Sequence, residues 1–375
     1  MAGGTELHLM SILPRLDRRR FEPRVLVLES NPDWDTRMRD LGIPVIEGSS
    51  QVNPVARAAA CLPRLLRSQY RGGRPRIVHF FLPEPYLLGG MSSLLVRGIR
   101  RVMSRRSLND YQSAHPLARR LEHRLHRRMD AVLGNSEAVV RQLLAEGVPG
   151  DRVGLIYNGV DLRRYGKRDQ RERLRTELGI HPEAFVIVQV ANLVHYKGHA
   201  DLLAALAGIR QRLPVSWRLL CVGRDDGLAA TLRTQAKRLG LEKNIHWLGE
   251  RADVPEILGC ADLAVSCSHE EGFSNSVLEA MAAGLAVVAT CVGGNREAVV
   301  DGSTGVLVPA HDVDAIGAAI AGLVADRARL LRLGETGARR VAAQFSLPAC
   351  VARYERLYES LATAASPPVS AWLDP

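Results

Sequence analysis

Lysine is nearly missing from this chain. Of 50 basic residues among 375, only Lys167, Lys197, Lys237 and Lys243 are lysines, and the rest are arginine. The formal net charge is +10. Such a balance favours anionic partners, whether phosphates, nucleic acid or an anionic membrane surface. A bland compositional preference for arginine accounts for it equally well. Aromatic residues make up 5% of the chain. That is too few to interleave with the arginines as a nucleic-acid surface requires, and no nucleic-acid motif is present, so that class is set aside. No apolar run approaches about 20 residues, so no spanning helix is expected, and no secretory leader pattern is seen. The six cysteines, Cys61, Cys221, Cys260, Cys267, Cys291 and Cys350, have no C-x-x-C spacing. This argues against a zinc site or a disulfide framework and fits a reducing, cytoplasmic setting.

What the chain has is alternation. Apolar, β-rich runs stand at 24–28, 76–80, 131–134, 185–190, 217–222, 245–248, 263–265, 286–289 and 305–308, with amphipathic helical stretches between them. Near-continuous apolar strands separated by helices predict βαβ units and parallel sheets covered on both faces. The length suits two domains. The boundary is placed after Val153–Asp161, where a strand runs into Asn158-Gly159, a turn signal. The chain is thus read as 1–161, 162–346, a terminal helix over 347–362, and a loose tail, 363–375.

The segment Glu271-Gly-Phe-Ser-Asn-Ser-Val-Leu-Glu279 carries most of the chemistry. It follows a strand-like run and leads into a helical one, so helix amides lie free at the turn, ready for an anion. One carboxylate lies in the loop and the other about one turn into the helix. Together with its flanks, SHEEGFSNSVLEAMAAGLAVVATCVGGNREAVV, this resembles the paired-glutamate motif of the family 4 (group 1) retaining glycosyltransferases. The resemblance implies a GT-B fold, α/β, in which two Rossmann-like doubly wound domains face each other across a cleft. It also implies transfer of a sugar from a nucleotide-diphosphate donor to an acceptor hydroxyl with retention. Glu271 would bind donor-sugar hydroxyls and stabilise the transition state, and Glu279 would bind the ribose. The turn Gly272, Phe273, Ser274, Asn275 and Ser276 would embrace sugar and phosphate, with one of its polar residues capping the helix.

Further residues follow from the same resemblance. Lys197-Gly198 opens a helix after strand 185–190, so an ammonium and helix amides converge where a diphosphate would leave. The family places Arg where Asn192 stands, and Arg224 is the candidate to supply that cation. Arg251 lies in the loop that would hold the base. No metal and no cofactor are expected, because Lys197 and the helix amides take the cation's role. In the first domain, Gly3 and Gly4 resemble a Gly-rich loop near donor phosphate and acceptor, Thr5 is read as an N-cap, and Pro14 should break the helix. Many relatives carry a His at the end of a later strand. Here Asn109 or Asp110 takes the place, with His79 and His115 as outside candidates, and Asn109 is the catalytic choice. The helix over 116–128, with Leu117, Leu121 and Leu125 among arginines, is either a domain helix with a solvated face or a contact for anionic lipid.

The expected partners are a nucleotide-sugar donor and a glycan or lipid-linked acceptor, in the cytoplasm or peripheral on the inner membrane face. Only two residues precede the Gly-rich loop where the family has a strand, so the chain is expected to start short of its functional amino end. A non-catalytic nucleotide-sugar or glycan binder, and a nucleotide-sugar 2-epimerase on the same fold, remain open alternatives at this stage.

Overall fold

The computed structural model describes residues 4–47, 76–109, 112–113, 115–166 and 170–363. Gly3 and Asp110 lie outside them, as do Cys61 and most of the tail. The chain divides into two compact units, Met1–Gly159 with Leu347–Pro375, and Val160–Ser346.

The described strands of the first unit form two parallel sheets. β1 (Val25–Val27) pairs with β2 (Val45–Glu47). β3 (Arg76–Phe81), β4 (Ile99–Arg105), β5 (Ala131–Gly134) and β6 (Val153–Leu155) pair in that order. Val102, Ala131 and Leu133 pack beneath the last helix, Leu347–Ala362, which contributes Leu347, Cys350, Val351, Tyr354, Leu357 and Leu361 to the same core. The first helix runs Gly4–Ile12 and gives way at Pro14 to a 3-10 turn, Leu13–Arg15, as expected where a ring removes an amide and clashes with the preceding turn. Thr5 lies inside that helix rather than capping it, so the N-cap assignment is corrected.

The second unit has one six-stranded parallel sheet. Its strands are β7 (Phe185–Val190), β8 (Trp217–Val222), β9 (Ile245–Gly249), β10 (Leu263–Ser266), β11 (Ala286–Thr290) and β12 (Val306–Val308), in spatial order β12-β11-β10-β7-β8-β9. β7 and β10 are buried almost throughout, which is why their sequences read as continuous apolar runs rather than alternating ones. Helices His199–Gly208 and Val313–Ala325 cover the core with Leu202, Leu203, Leu206, Ile316 and Ile320. From β7 the chain winds outward to β8 and β9, then returns to β10 on the opposite side of β7. The strand order therefore reverses between β7 and β10. In open α/β sheets, ligands bind outside the carboxyl ends of the strands at such a point. Among the described residues no helix is long and apolar enough to cross a membrane, and Cys221, Cys260, Cys267, Cys291 and Cys350 are free thiols.

Candidate functional site

The loops that leave β7 and β10 at this reversal carry Lys197 and Glu271. A 3-10 turn, His195–Lys197, ends at Gly198, which adopts the left-handed conformation (φ 66°) and starts helix His199–Gly208. A Cβ at 198 would run into the carbonyl oxygen of Cys267. Glycine therefore allows the lysine loop to lie directly against the backbone that leads to Glu271. The buried Gln189 amide donates to the carbonyl of Lys197 (2.8 Å) and fixes the turn from β7. The amide of His269 donates to the carbonyl of Tyr196 (2.7 Å), joining the two loops by backbone.

Lys197 Nζ donates to Glu271 Oε1 at 2.6 Å, and Ser268 Oγ donates to the same oxygen at 2.7 Å. Both members of the ion pair are largely buried, at 19% and 10% side-chain exposure. A second glycine lies directly against the backbone of Glu271. Gly293 is also left-handed (φ 43°), and a Cβ there would meet the carbonyl oxygen of Glu271. The neighbouring Gly294 amide donates to the Gly272 carbonyl (3.0 Å).

Helix Asn275–Ala282 begins at Ser274, whose side chain makes no capping bond and instead meets Ser276 Oγ at 3.1 Å. The backbone, not the serine side chains, shapes the turn. Phe273 anchors it by burying its ring edge-on against Phe345, with centroids 5.3 Å apart. Glu279 lies on the helix one turn in. Burial raises its carboxyl to about 7, against the opposing pull of Arg164 and a hydrogen bond from Tyr165. The Tyr165 phenol is pushed upward in turn, by burial first and by Glu279 second.

Asn192 and Arg224 meet at one place. The Arg224 amide donates to Asn192 Oδ1 (3.2 Å), the Asn192 amide donates to Asp226 Oδ2 (3.2 Å), and the Arg224 guanidinium forks onto Asp226 (2.6 and 3.2 Å). The cation expected near position 192 is thus held beside it. Arg251 forks onto Asp253 at 2.7 and 2.6 Å. None of these hydrogen bonds links the Asn192–Arg224 group, or Arg251, to the Lys197–Glu271 pair.

In the first unit, Asn109 is tied into a buried polar network. Its side chain donates to Glu146 Oε1 (2.7 Å), and its backbone amide donates to Gln142 Oε1 (3.2 Å). Arg105 bridges Glu146 and Glu122 (2.5 Å each), and His126 and Gln112 complete the group. The His126 and Arg105 hydrogen bonds hold the Glu146 carboxyl far below the usual range despite its burial. His79 lies between Tyr358 Oη (2.9 Å) and Ser104 Oγ (2.7 Å), and burial lowers its pKa to about 3. His115 is exposed at the N-cap of helix Pro116–His126. On that helix Leu125 is buried and Leu121 partly so, but Leu117 is 77% exposed. The expected leucine stripe is therefore incomplete, because Glu122 and His126 take up the buried face. Gly4 opens the first helix.

The sequence reading missed Ser268, Tyr165 and Arg164. Ser268 stands next to the motif and was available as a short hydroxyl three residues from Glu271. Nothing local signals Tyr165, which reaches Glu279 only through the fold.

The chain matches two protein families, Glycosyl transferases group 1 over residues 170–340 and Glycosyltransferase Family 4 over residues 2–164. It is 27% identical over 386 residues to the D-inositol 3-phosphate glycosyltransferase of Corynebacterium glutamicum, covering 95% of this chain and 91% of that protein. It is 31% identical over 246 residues to the lipopolysaccharide core biosynthesis mannosyltransferase LpsB of Rhizobium meliloti, covering 63% of this chain and 67% of LpsB. Among solved structures it resembles Anabaena HepE in complex with UDP-glucose (TM-score 0.85, 24% identity, 96% of this chain and 97% of that one). It also resembles the sucrose-phosphate synthase of Thermosynechococcus elongatus (TM-score 0.77, 22% identity, 96% and 94%).

Proposed function

We propose that this chain, which belongs to the family 4, group 1 glycosyltransferases, moves a sugar from a nucleoside-diphosphate donor to an acceptor hydroxyl with retention and without a metal. That it is a glycosyltransferase of glycan biosynthesis with the GT-B fold follows from the family and the shared architecture. The donor class, the stereochemical course and the metal independence are our reading.

The observation that carries this reading is the Lys197–Glu271 pair, set at the reversal of strand order beside the start of helix Asn275–Ala282. A departing diphosphate gains negative charge as its bond to the sugar breaks. Lys197 and the first amides of the helix supply preformed positive potential for that charge. The proton of the attacking hydroxyl passes to the leaving phosphate, so no strong protein base is required. Glu271, held by Lys197 and Ser268, faces the sugar and stabilises the oxocarbenium-like transition state. When the diphosphate draws on Lys197, Glu271 keeps the Ser268 hydrogen bond. Glu279, which takes a hydrogen bond from Tyr165 and feels the field of Arg164, accepts the two ribose hydroxyls. A neighbour described with UDP-glucose supports a nucleotide-sugar donor, and a relative of lipopolysaccharide core biosynthesis supports a glycan or lipid-linked acceptor. Exposed Leu117 beside exposed Arg119 and Arg120 supports a contact of helix Pro116–His126 with anionic lipid.

A screen of nucleotide sugars by thermal shift, followed by steady-state kinetics on the donor that binds, tests the reading. Glu271→Ala should lower turnover more than donor affinity, since its role lies in the transition state. Wild-type turnover in that variant would refute the assignment.

A further inference from the structure

Two groups of metal-ligating side chains occur among the described residues. The first, Glu122, His126 and Glu146, is already occupied by Arg105, whose guanidinium bridges both carboxylates. The second, Asp201, His269 and His311, is joined by a His269–Asp201 contact, and no ion pair of the described residues brings a lysine or arginine to it.

We propose that Asp201, His269 and His311 form a binding site for a divalent transition metal of the zinc class. The ligands come from three different segments that follow strands of the second sheet, one helix start and two loops. Asp201 lies in the first turn of helix His199–Gly208, His269 in the loop after β10, and His311 in the loop after β12. His269 Nε2 meets Asp201 Oδ2 at 2.8 Å, and the His269 and His311 rings lie 3.8 Å apart between centroids. The potential donor atoms all lie within 4.8 Å of one another. Tetrahedral coordination at about 2.0–2.1 Å sets donors roughly 3.4 Å apart, so modest side-chain rotation closes the site. His311, the most exposed of the three, is free to make it.

The donor set is chemically selective. Two imidazoles and one carboxylate suit zinc, copper, nickel or cobalt rather than magnesium or calcium, and the three ligands leave a position for water. The backbone supports the arrangement. His311 sits at φ 65°, in the left-handed region that non-glycine residues rarely occupy and that surrounding structure must enforce. Its ring lies against that of His269, tilted by 36°. His269 is in turn fixed by the hydrogen bond that its backbone amide donates to the Tyr196 carbonyl. A bound ion would replace the His269–Asp201 hydrogen bond and clamp the loops after β10 and β12 to the start of helix His199–Gly208, which directly follows the turn that carries Lys197. The ion touches neither of those residues and takes no part in the transfer step.

The experiment uses the full chain, freed of metal by a chelator and dialysed, then titrated with Zn²⁺ by calorimetry and with Co²⁺ by visible absorption. We expect one ion per chain, a rise in unfolding temperature with metal, and a d–d spectrum typical of low coordination number. His311→Gly is the decisive variant, because glycine accepts the left-handed backbone and keeps the fold. It should retain or raise metal-free stability and lose the ion. His269→Ala should lose it as well, and Asp201→Asn should weaken binding about tenfold or more. Equal binding in wild type and His311→Gly would overturn the site, since buried thiols or other histidines would then hold the metal. Absence of any binding at roughly 100 µM metal, where a real site stabilises the fold by mass action, would overturn it too.

Discussion

Replacing Glu279 with Gln separates the stability of the second unit from its donor affinity. The Glu279 carboxyl titrates at about 7 in the folded chain, against 4.5 for an ordinary glutamate, because burial disfavours its charge more than Arg164 and Tyr165 favour it. The folded state therefore holds this proton more tightly than the unfolded chain does. The associated stability is fully present below pH 4.5 and is lost as pH rises through 7. At about 1.36 kcal/mol per pH unit between these two values, the loss is at most about 3 kcal/mol. Glutamine keeps the shape and the contact with Tyr165 but has no proton to lose. The variant should exceed wild type by less than about 1 kcal/mol at pH 5 and by up to about 3 kcal/mol at pH 8. Urea denaturation at constant ionic strength from pH 5 to 9, without nucleotide, measures this difference. The same variant should bind the nucleotide donor more weakly by about 1.5–3 kcal/mol, because the ribose hydroxyls lose a charged acceptor. A variant no more stable than wild type at pH 8, or a stability difference that stays constant across the range, would refute the argument.

Lys197→Met leaves Glu271 with Ser268 alone and removes the cation from the leaving group, so turnover should fall by about 100-fold or more in steady-state assays. Gly293→Ala drives a Cβ into the Glu271 carbonyl. It should displace the catalytic loop and lower turnover while circular dichroism stays that of the folded protein, and full activity would refute the close packing. Arg105→Met strands two buried carboxylates and should destabilise the protein by about 3–5 kcal/mol in chemical denaturation; a neutral effect would mean that Glu122 and Glu146 protonate without penalty. Transfer activity should survive EDTA, and a loss that Mn²⁺ or Mg²⁺ specifically restores would contradict the role given to Lys197 and the helix amides.

Much of the architecture was legible along the chain. Phe185–Val190, Trp217–Val222 and Ala131–Gly134 were read as strands with the bounds the structure shows, because strands buried on both faces read as near-continuous apolar runs, which a single Gln189 or Arg218 does not break. The motif 271–279 and Lys197 were legible for a similar reason. A loop that binds an anion at a helix start is built from neighbours in sequence, so its glycines, carboxylates and lysine keep a fixed spacing.

β4 and β2 were not among the strand runs. In Ile99–Arg105, Arg100, Arg101 and Arg105 interrupt the apolar run, and their charges are answered by Asp130, the carbonyls of Ser93 and Val96, and the Glu122–Glu146 pair. Those partners come from other elements, so the run looks solvated until the fold brings them in. The same holds at the site. The sequence supplied Glu271, Glu279 and Lys197 as separate candidates. It did not show that Lys197 and Glu271 form one pair, that Tyr165 stands at Glu279, that Asn109 is tied to Glu146, or that His311 lies on His269. Periodicity, caps and turn chemistry act over a few residues and are written in order along the chain. Which charge meets which, and how far burial moves a carboxyl, depends on distances across the fold, and these the tertiary structure alone decided.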